Sequence, residues 1–124
     1  MDARGIRPDR IAGVVLGSIP LATALSLRTG IPLLMVRKER KDHGTGRLVE
    51  GELREGDSVL VVEDVITTAG SSLKAIGELR GEGADVRYVM SVIDREGGGR
   101  ENLAAAGIEF LPLVTGSEVL KGRR

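Results

Sequence analysis

Short apolar segments that alternate with helix-like segments constrain the fold of this chain more than any other feature. Five mostly apolar segments have the length of strands, at residues 11–16, 32–36, 58–62, 86–93 and 109–114. Helical patterns follow three of them, at residues 18–29, 71–82 and 102–106. This alternation is typical of βαβ units. The sequence therefore predicts an α/β fold, with a mainly parallel central sheet and helices on both faces.

Proline, glycine and the apolar pattern refine this prediction. Pro20 fits the first turn of the first helix, and Gly30 is expected to end it. The strand at 58–62 does not alternate between apolar and polar residues, so it is predicted to be buried on both faces. Residues 37–51 are polar, charged and contain glycines, which predicts a long loop. A glycine-rich turn is expected at residues 95–100 and a helical turn at 117–121.

Length, charge and composition exclude several classes of function. A chain of 124 residues is predicted to form one domain, residues 1–124. Lys plus Arg and Asp plus Glu both number 18, so a formal net charge of zero argues against a general nucleic-acid or anionic-membrane binder. The absence of cysteine excludes disulfides and thiolate chemistry, and the single histidine, His43, cannot form a multi-histidine metal site.

The sequence carries no visible signal for export or membrane insertion. Residues 1–10 are polar and lack the apolar centre of a signal peptide. The apolar segments are far shorter than the roughly 20 residues that span a bilayer. We therefore expect a cytoplasmic protein.

The segment most informative about function follows the third predicted strand. Residues 59–72 read Val-Leu-Val-Val-Glu-Asp-Val-Ile-Thr-Thr-Ala-Gly-Ser-Ser. The strand is expected to end at the carboxylates of Glu63 and Asp64, and residues 67–71 then open a helix. Backbone N–H groups and hydroxyls at a helix N-terminus bind phosphate, whereas adjacent carboxylates suit sugar hydroxyls or a cation. A 5-phosphorylated sugar would satisfy both halves.

The same residues allow a purely structural interpretation. The turn could be only a helix cap, with both carboxylates in solvent at the end of a strand. Neither of the common nucleotide fingerprints, Gly-x-x-x-x-Gly-Lys-Ser/Thr and Gly-x-Gly-x-x-Gly, occurs in the chain. From the residues alone, both interpretations stay open.

Residues 63–71 resemble the phosphoribosyl-diphosphate (PRPP) motif of the type I phosphoribosyltransferases. Residues 37–46, Arg-Lys-Glu-Arg-Lys-Asp-His-Gly-Thr-Gly, resemble the mobile lid loop of the orotate phosphoribosyltransferases. Residues 13–22 resemble the pyrophosphate loop of the family, and residues 94–97 resemble its Asp-Arg-x-Glu segment at a strand end. The resemblance extends from about residue 11 to residue 115.

The resemblance implies a type I phosphoribosyltransferase fold with a lid at about residues 37–51. It implies transfer of phosphoribose from PRPP to orotate, a step of de novo pyrimidine synthesis. PRPP would bind Glu63, Asp64, Val65, Ile66, Thr67, Thr68, Ala69, Gly70 and Ser71. Its diphosphate would contact Arg37, Lys38, Lys41 and His43. The catalytic residues would be Lys41, His43, Arg37 and Asp64, and orotate would contact Thr67 and Arg95.

The resemblance also implies a cofactor and a partner. Mg²⁺ would be held mainly through PRPP, with no direct protein metal site. The partner would be a second copy of the chain, in a homodimer whose lids are shared across the interface, and no nucleic-acid or membrane partner is expected.

Other interpretations of these segments remain. The lid could be a solvated charged loop, and Asp94 and Arg95 could form a local ion pair. The N-terminal helix and hood strand of the family, which help to cover the base, have no counterpart before residue 11. The alternative functions are therefore a type I phosphoribosyltransferase for another base, and a non-catalytic PRPP- or nucleotide-sensing module.

Overall fold

The computed structural model describes residues 7–38 and 48–117, which form a six-stranded sheet with three helices. The elements follow in the order β1 (Arg10–Val14), α1 (Ile19–Thr29), β2 (Leu33–Val36), β3 (Val49–Glu50), β4 (Ser58–Ile66), α2 (Gly70–Gly81), β5 (Asp85–Asp94), α3 (Gly99–Ala105) and β6 (Glu109–Thr115). The strand order is β3-β2-β1-β4-β5-β6, and all pairs are parallel except β2 and β3. The predicted mainly parallel α/β sheet is confirmed.

The central strands are covered by helices on both faces. On the α1 face, Ile11 of β1 and Leu60 of β4 pack with Ala22 of α1. On the α2 face, Val61 of β4 packs in one cluster with Ile76 of α2. Because successive residues of a strand point to opposite faces, β4 is buried on both sides, as its unbroken apolar run predicted.

Helices α1 and α2 begin and end within one residue of the prediction. Pro20 lies in the first turn of α1, and Gly30 ends this helix with a φ of +75°. Before α1, the fully buried hydroxyl of Ser18 accepts a hydrogen bond from the Val14 N–H and donates one to the Val14 carbonyl, both at 2.8 Å. No helix in residues 7–38 and 48–117 is long and apolar enough to cross a membrane.

Strand β4 is longer than the sequence predicted. It continues to Ile66, whereas its apolar run ends at Val62. Beyond that run, Glu63 still pairs with Ser91 of β5, and Ile66 pairs with Asp94. The polar residues Glu63 and Asp64 therefore lie within the strand, because its hydrogen-bonded ladder does not depend on apolar side chains.

Two other elements differ from the prediction. Strand β3 lies inside the segment predicted as a loop, and its two residues are too few to produce a hydrophobic pattern. Helix α3 begins at Gly99 rather than at residue 102, after Gly98 with a φ of +96°. The predicted helical turn at residues 117–121 lies, beyond Ser117, outside the described residues.

Strand β5 contains one extra residue near its start. Its ladder with β4 steps from Val86 to Tyr88, so Arg87 is passed over. Such a β-bulge reverses the alternation of side chains along the strand. As a result, Val86 and Val89, which are three residues apart, both pack on the α2 face.

Candidate active site

The candidate site lies where the order of strands in the sheet reverses direction. From β1 the chain proceeds to β2 on one side, and from β4 it proceeds to β5 and β6 on the other. Open α/β sheets bind ligands outside the carboxyl ends of their strands at this switch point. The loops after β1, β4 and β5 open at this edge of the sheet.

A cavity of about 330 Å³ lies at the end of β4 and the start of α2. It is lined by Glu63, Val65, Ile66, Thr67, Thr68, Ala69, Gly70, Ser71 and Ser72. The first N–H groups of a helix have no partner within the helix, and together with the positive end of the helix dipole they favour an anion. The cavity thus brings the predicted phosphate-binding turn together with one of the two predicted carboxylates.

Ala69 lies in an unusual backbone conformation at the start of α2. Its φ of +73° is in the left-handed region, where a residue with a Cβ atom costs about 1–2 kcal/mol. Its side chain is 5% exposed, so the methyl group packs in the core below the cavity. Residues with strained backbone conformations are common at ligand sites. The sequence pattern did not indicate the left-handed conformation of Ala69.

The carboxylate of Glu63 is buried beside the cavity, with 7% of the residue exposed. The Ser72 hydroxyl, itself buried, donates a hydrogen bond of 2.7 Å to Glu63 Oε2. Burial raises the pKa of Glu63 above its usual value, and the nearby Asp64 raises it further, whereas Ser72 and Lys38 oppose the shift. The interpretation in which both carboxylates lie in solvent is therefore wrong for Glu63.

Asp64 points away from Glu63, as alternation along a strand requires. It is exposed, and its Oδ1 accepts a hydrogen bond from the Val65 N–H at 2.8 Å. A Cβ atom at Gly17 would lie 2.8 Å from Asp64 Oδ2, so the loop between β1 and α1 approaches this carboxylate closely. A side chain at Gly17 would therefore have to displace the exposed Asp64 carboxylate. In the same loop, the peptide bond between Val15 and Leu16 is cis.

The loop after β5 is bound to the turn after β4 by backbone hydrogen bonds. The Arg95 N–H donates to the Ile66 carbonyl at 2.8 Å, and the Gly99 N–H donates to the Thr67 carbonyl at 2.9 Å. These bonds place Arg95 next to Thr67, the other predicted orotate contact, and the Arg95 side chain is exposed.

Asp94 does not form its ion pair with its neighbour in the sequence. The 4.0 Å contact of its Oδ2 is with Nη2 of Arg100, and its Oδ1 accepts a hydrogen bond from the Glu96 N–H at 2.8 Å. The interpretation of Asp94 and Arg95 as a local ion pair is therefore wrong, because Asp94 is turned inward and is 4% exposed.

A second cavity, of about 290 Å³, adjoins the first at the N-terminus of α2. It is lined by Val14, Arg37, Lys38, Gly70, Ser71, Lys74 and Ala75. Arg37 forms an ion pair with Glu50 of β3, and Lys74 Nζ donates a hydrogen bond of 2.8 Å to the Lys38 carbonyl. The predicted diphosphate contacts Arg37 and Lys38 thus lie beside the predicted phosphate turn.

Two further predicted contacts of the diphosphate are not among the described residues. Lys41 and His43 lie outside the described residues, as does most of the predicted lid, of which only residues 37–38 and 48–51 are described. Within the described part of the chain, no group of three His, Asp or Glu side chains is arranged to hold a metal ion.

Comparison with known proteins identifies the family. Residues 2–106 match the phosphoribosyl transferase domain. The orotate phosphoribosyltransferase of Pyrococcus horikoshii is 54% identical over 113 residues, which are 91% of this chain and 61% of that protein. The chain thus spans about three fifths of the length of this curated relative.

Solved structures agree. The orotate phosphoribosyltransferase of Aeropyrum pernix superposes with a TM-score of 0.85 at 40% identity, over 93% of this chain and 64% of that one. The Mycobacterium tuberculosis enzyme, crystallised in complex with PRPP, gives a TM-score of 0.76 at 32% identity, over 90% and 65%. The resemblance noted in the sequence is confirmed, and the chain belongs to the phosphoribosyltransferase family, among relatives that are orotate phosphoribosyltransferases.

Proposed function

We propose that the chain transfers phosphoribose from PRPP to orotate in the cytoplasm, giving orotidine 5′-monophosphate and diphosphate for pyrimidine synthesis. The observation that carries this proposal is the cavity at the end of β4, where a helix N-terminus and a buried carboxylate lie side by side. Family membership and the bound PRPP of the Mycobacterium tuberculosis relative support the same substrate.

The two kinds of group in the site match the two kinds of group on the sugar. Residues 67–71 offer backbone N–H groups and hydroxyls to the 5-phosphate. Glu63 and Asp64 offer carboxylate oxygens to the ribose hydroxyls, Glu63 from within the cavity and Asp64 from the side of the loop after β1. The sugar would therefore lie across the end of β4.

In the proposed reaction, the bond between the anomeric carbon and the diphosphate oxygen breaks with oxocarbenium-like character, and a ring nitrogen of orotate, losing its proton, bonds to that carbon. The leaving diphosphate gains charge, which Arg37 and Lys38 would stabilise from the second cavity. Arg37 binds Glu50 through Nε and Nη2, which leaves its Nη1 donors for the diphosphate. The resemblance adds Lys41 and His43 to this group, and closure of the lid would exclude water.

Mg²⁺ is proposed as the cofactor, bound mainly through PRPP oxygens. The exposed carboxylate of Asp64 beside Gly17 adds negative charge at this side of the site, which favours a divalent cation on the substrate. When bound, the ion would neutralise and orient the diphosphate.

A turnover assay with PRPP, Mg²⁺ and a panel of bases tests the function. We expect orotidine 5′-monophosphate to form with orotate, and to stop forming when a chelator removes Mg²⁺. A different nucleotide as product would indicate a phosphoribosyltransferase for another base. Binding of PRPP without any nucleotide product would indicate a sensing module and contradict the proposal.

The role of Arg95 can be separated from PRPP binding. We expect Arg95→Ala to weaken orotate binding by tenfold or more, because guanidinium pairs well with a carboxylate and the Arg95 side chain is exposed beside Thr67. Calorimetry of each ligand should show PRPP affinity within about twofold of wild type. Equal loss of both ligands would instead assign Arg95 a structural role.

We further propose that the active unit is a homodimer in which the lid of one subunit serves the site of the other. Lys41→Ala would then disable the lid, and Asp64→Asn would disable the PRPP site, leaving each variant nearly inactive. In a mixed dimer, one site would combine an intact PRPP site with an intact lid. Random exchange makes about half of the dimers mixed, so roughly a quarter of all sites should recover activity. A mixture as inactive as its parents, despite proven subunit exchange, would contradict a shared lid.

A further inference from the structure

Lys74 joins helix α2 to the residues that follow β2. It lies one helical turn after Gly70, where α2 begins at the phosphate-binding turn. Its Nζ donates a hydrogen bond of 2.8 Å to the Lys38 carbonyl, across 36 residues of sequence. Both residues are exposed and line the second cavity. The bond therefore links two sides of the candidate site.

The carbonyl that Lys74 contacts belongs to Lys38, whose positive charge acts on the buried carboxylate of Glu63. Lys38 lines the second cavity, and its positive charge acts to lower the pKa of Glu63, which lines the first. Strand β2 ends at Val36, and the ladder with β3 stops there, although the Arg37 N–H still donates to the Leu48 carbonyl. Among the contacts of the described residues, the bond from Lys74 holds the backbone of Lys38 beyond the end of that ladder.

We propose that Lys74 is a positioning residue: by binding the Lys38 carbonyl, it holds Lys38 at the second cavity, where the Lys38 ammonium receives the diphosphate of PRPP. This inference rests on the proposed function. Lys74 itself would contact the carbonyl rather than the substrate, so its effect would pass through Lys38.

The test measures binding of PRPP and of inorganic diphosphate by calorimetry, alongside turnover. We expect Lys74→Met to weaken binding of both ligands by about tenfold, with an unchanged melting temperature, because Lys74 is exposed. Lys74→Arg keeps a charged donor and should restore most of the affinity. Arg28→Met removes an exposed positive charge from α1, on the other face of the sheet, and should leave binding unchanged.

A double-mutant cycle shows whether Lys74 acts through Lys38. If it does, adding Lys74→Met to Lys38→Met should change the affinity less than about twofold. If the affinity losses of Lys74→Met and Lys38→Met multiply in full in the double variant, Lys74 acts by its own charge, and the inference is overturned. Unchanged binding by Lys74→Met alone would also overturn it.

The proposed function and the role of Lys74 can fail separately. Binding of PRPP by the wild type without turnover would remove the proposed function, and the cycle would still decide the role of Lys74. A wild type that binds neither PRPP nor diphosphate would overturn both.

Discussion

Gly97→Ala is expected to weaken PRPP binding by tenfold or more. A Cβ atom at this position would lie 2.6 Å from Thr67 Cγ2 and 3.1 Å from the Thr67 carbonyl oxygen. That carbonyl is already fixed by the Gly99 N–H, so the phosphate-binding turn would have to move as a whole. Overpacking of this kind costs about 1–3 kcal/mol, and 1.4 kcal/mol corresponds to about tenfold in affinity. Calorimetry with PRPP measures the loss.

Gly98→Ala is the matched control for this prediction. Gly98 has a φ of +96°, so alanine there should lower the free energy of unfolding by about 1–2 kcal/mol. The nearest atom to its Cβ would be Asn102 Nδ2 at 3.9 Å, and Thr67 would remain in place. PRPP affinity should therefore stay close to wild type. If Gly98→Ala loses as much affinity as Gly97→Ala, the effect is not due to contact with Thr67.

Glu63→Gln is expected to stabilise the fold at neutral pH while reducing PRPP affinity by tenfold or more. Burial raises the pKa of Glu63, so ionisation is less favourable in the folded chain than in the unfolded one. Its contribution to stability is therefore complete below the unfolded pKa of about 4.3 and is lost as the pH rises through the folded pKa. Glutamine keeps an acceptor for Ser72 and stays neutral. Urea unfolding should show a gain at pH 7 that disappears below about pH 4.

Asp64→Asn provides the comparison on the same strand. Asp64 is exposed, so its loss should leave the free energy of unfolding nearly unchanged while PRPP binding weakens. Comparison of the two variants therefore distinguishes Glu63, which binds PRPP at a cost in stability, from Asp64, which binds PRPP without that cost. Destabilisation by Glu63→Gln at pH 7, or unchanged PRPP affinity in both variants, would contradict these roles.

The sequence was sufficient for the α/β class and for most strands and helices, because these depend on local patterns. The unbroken apolar run before Glu63 predicted a strand buried on both faces, and Gly30 predicted the end of α1, and both are observed. The end of β4 could not be predicted, since Glu63 and Ile66 stay in the strand through pairing with β5. Strand β3 depends in the same way on β2, and its two residues carry no pattern of their own.

The candidate site was predictable only where its residues are close in sequence. The turn of residues 67–71 has a recognisable order, and it lines the first cavity together with Glu63. Ser72 and Lys74 gave no signal as site residues, because their significance arises from contacts with Glu63 and with the Lys38 carbonyl. The closeness of Gly17 to Asp64 is likewise a property of two loops that meet only after folding.

The extra residue at Arg87 determines which residues of β5 lie at the end of the strand, beside the candidate site. With Arg87 passed over, Asp94 falls opposite Ile66, and Arg95 is the first residue beyond the strand. If Arg87 were paired with β4 while the start of the ladder stayed in place, Ile93 would lie opposite Ile66, and Asp94 would be the first residue beyond that pair. A carboxylate would then occupy the place of the Arg95 guanidinium, and the position where Asp94 is now only 4% exposed would hold an isoleucine. The bulge in β5, as much as the identity of its residues, therefore decides which side chain faces the proposed base.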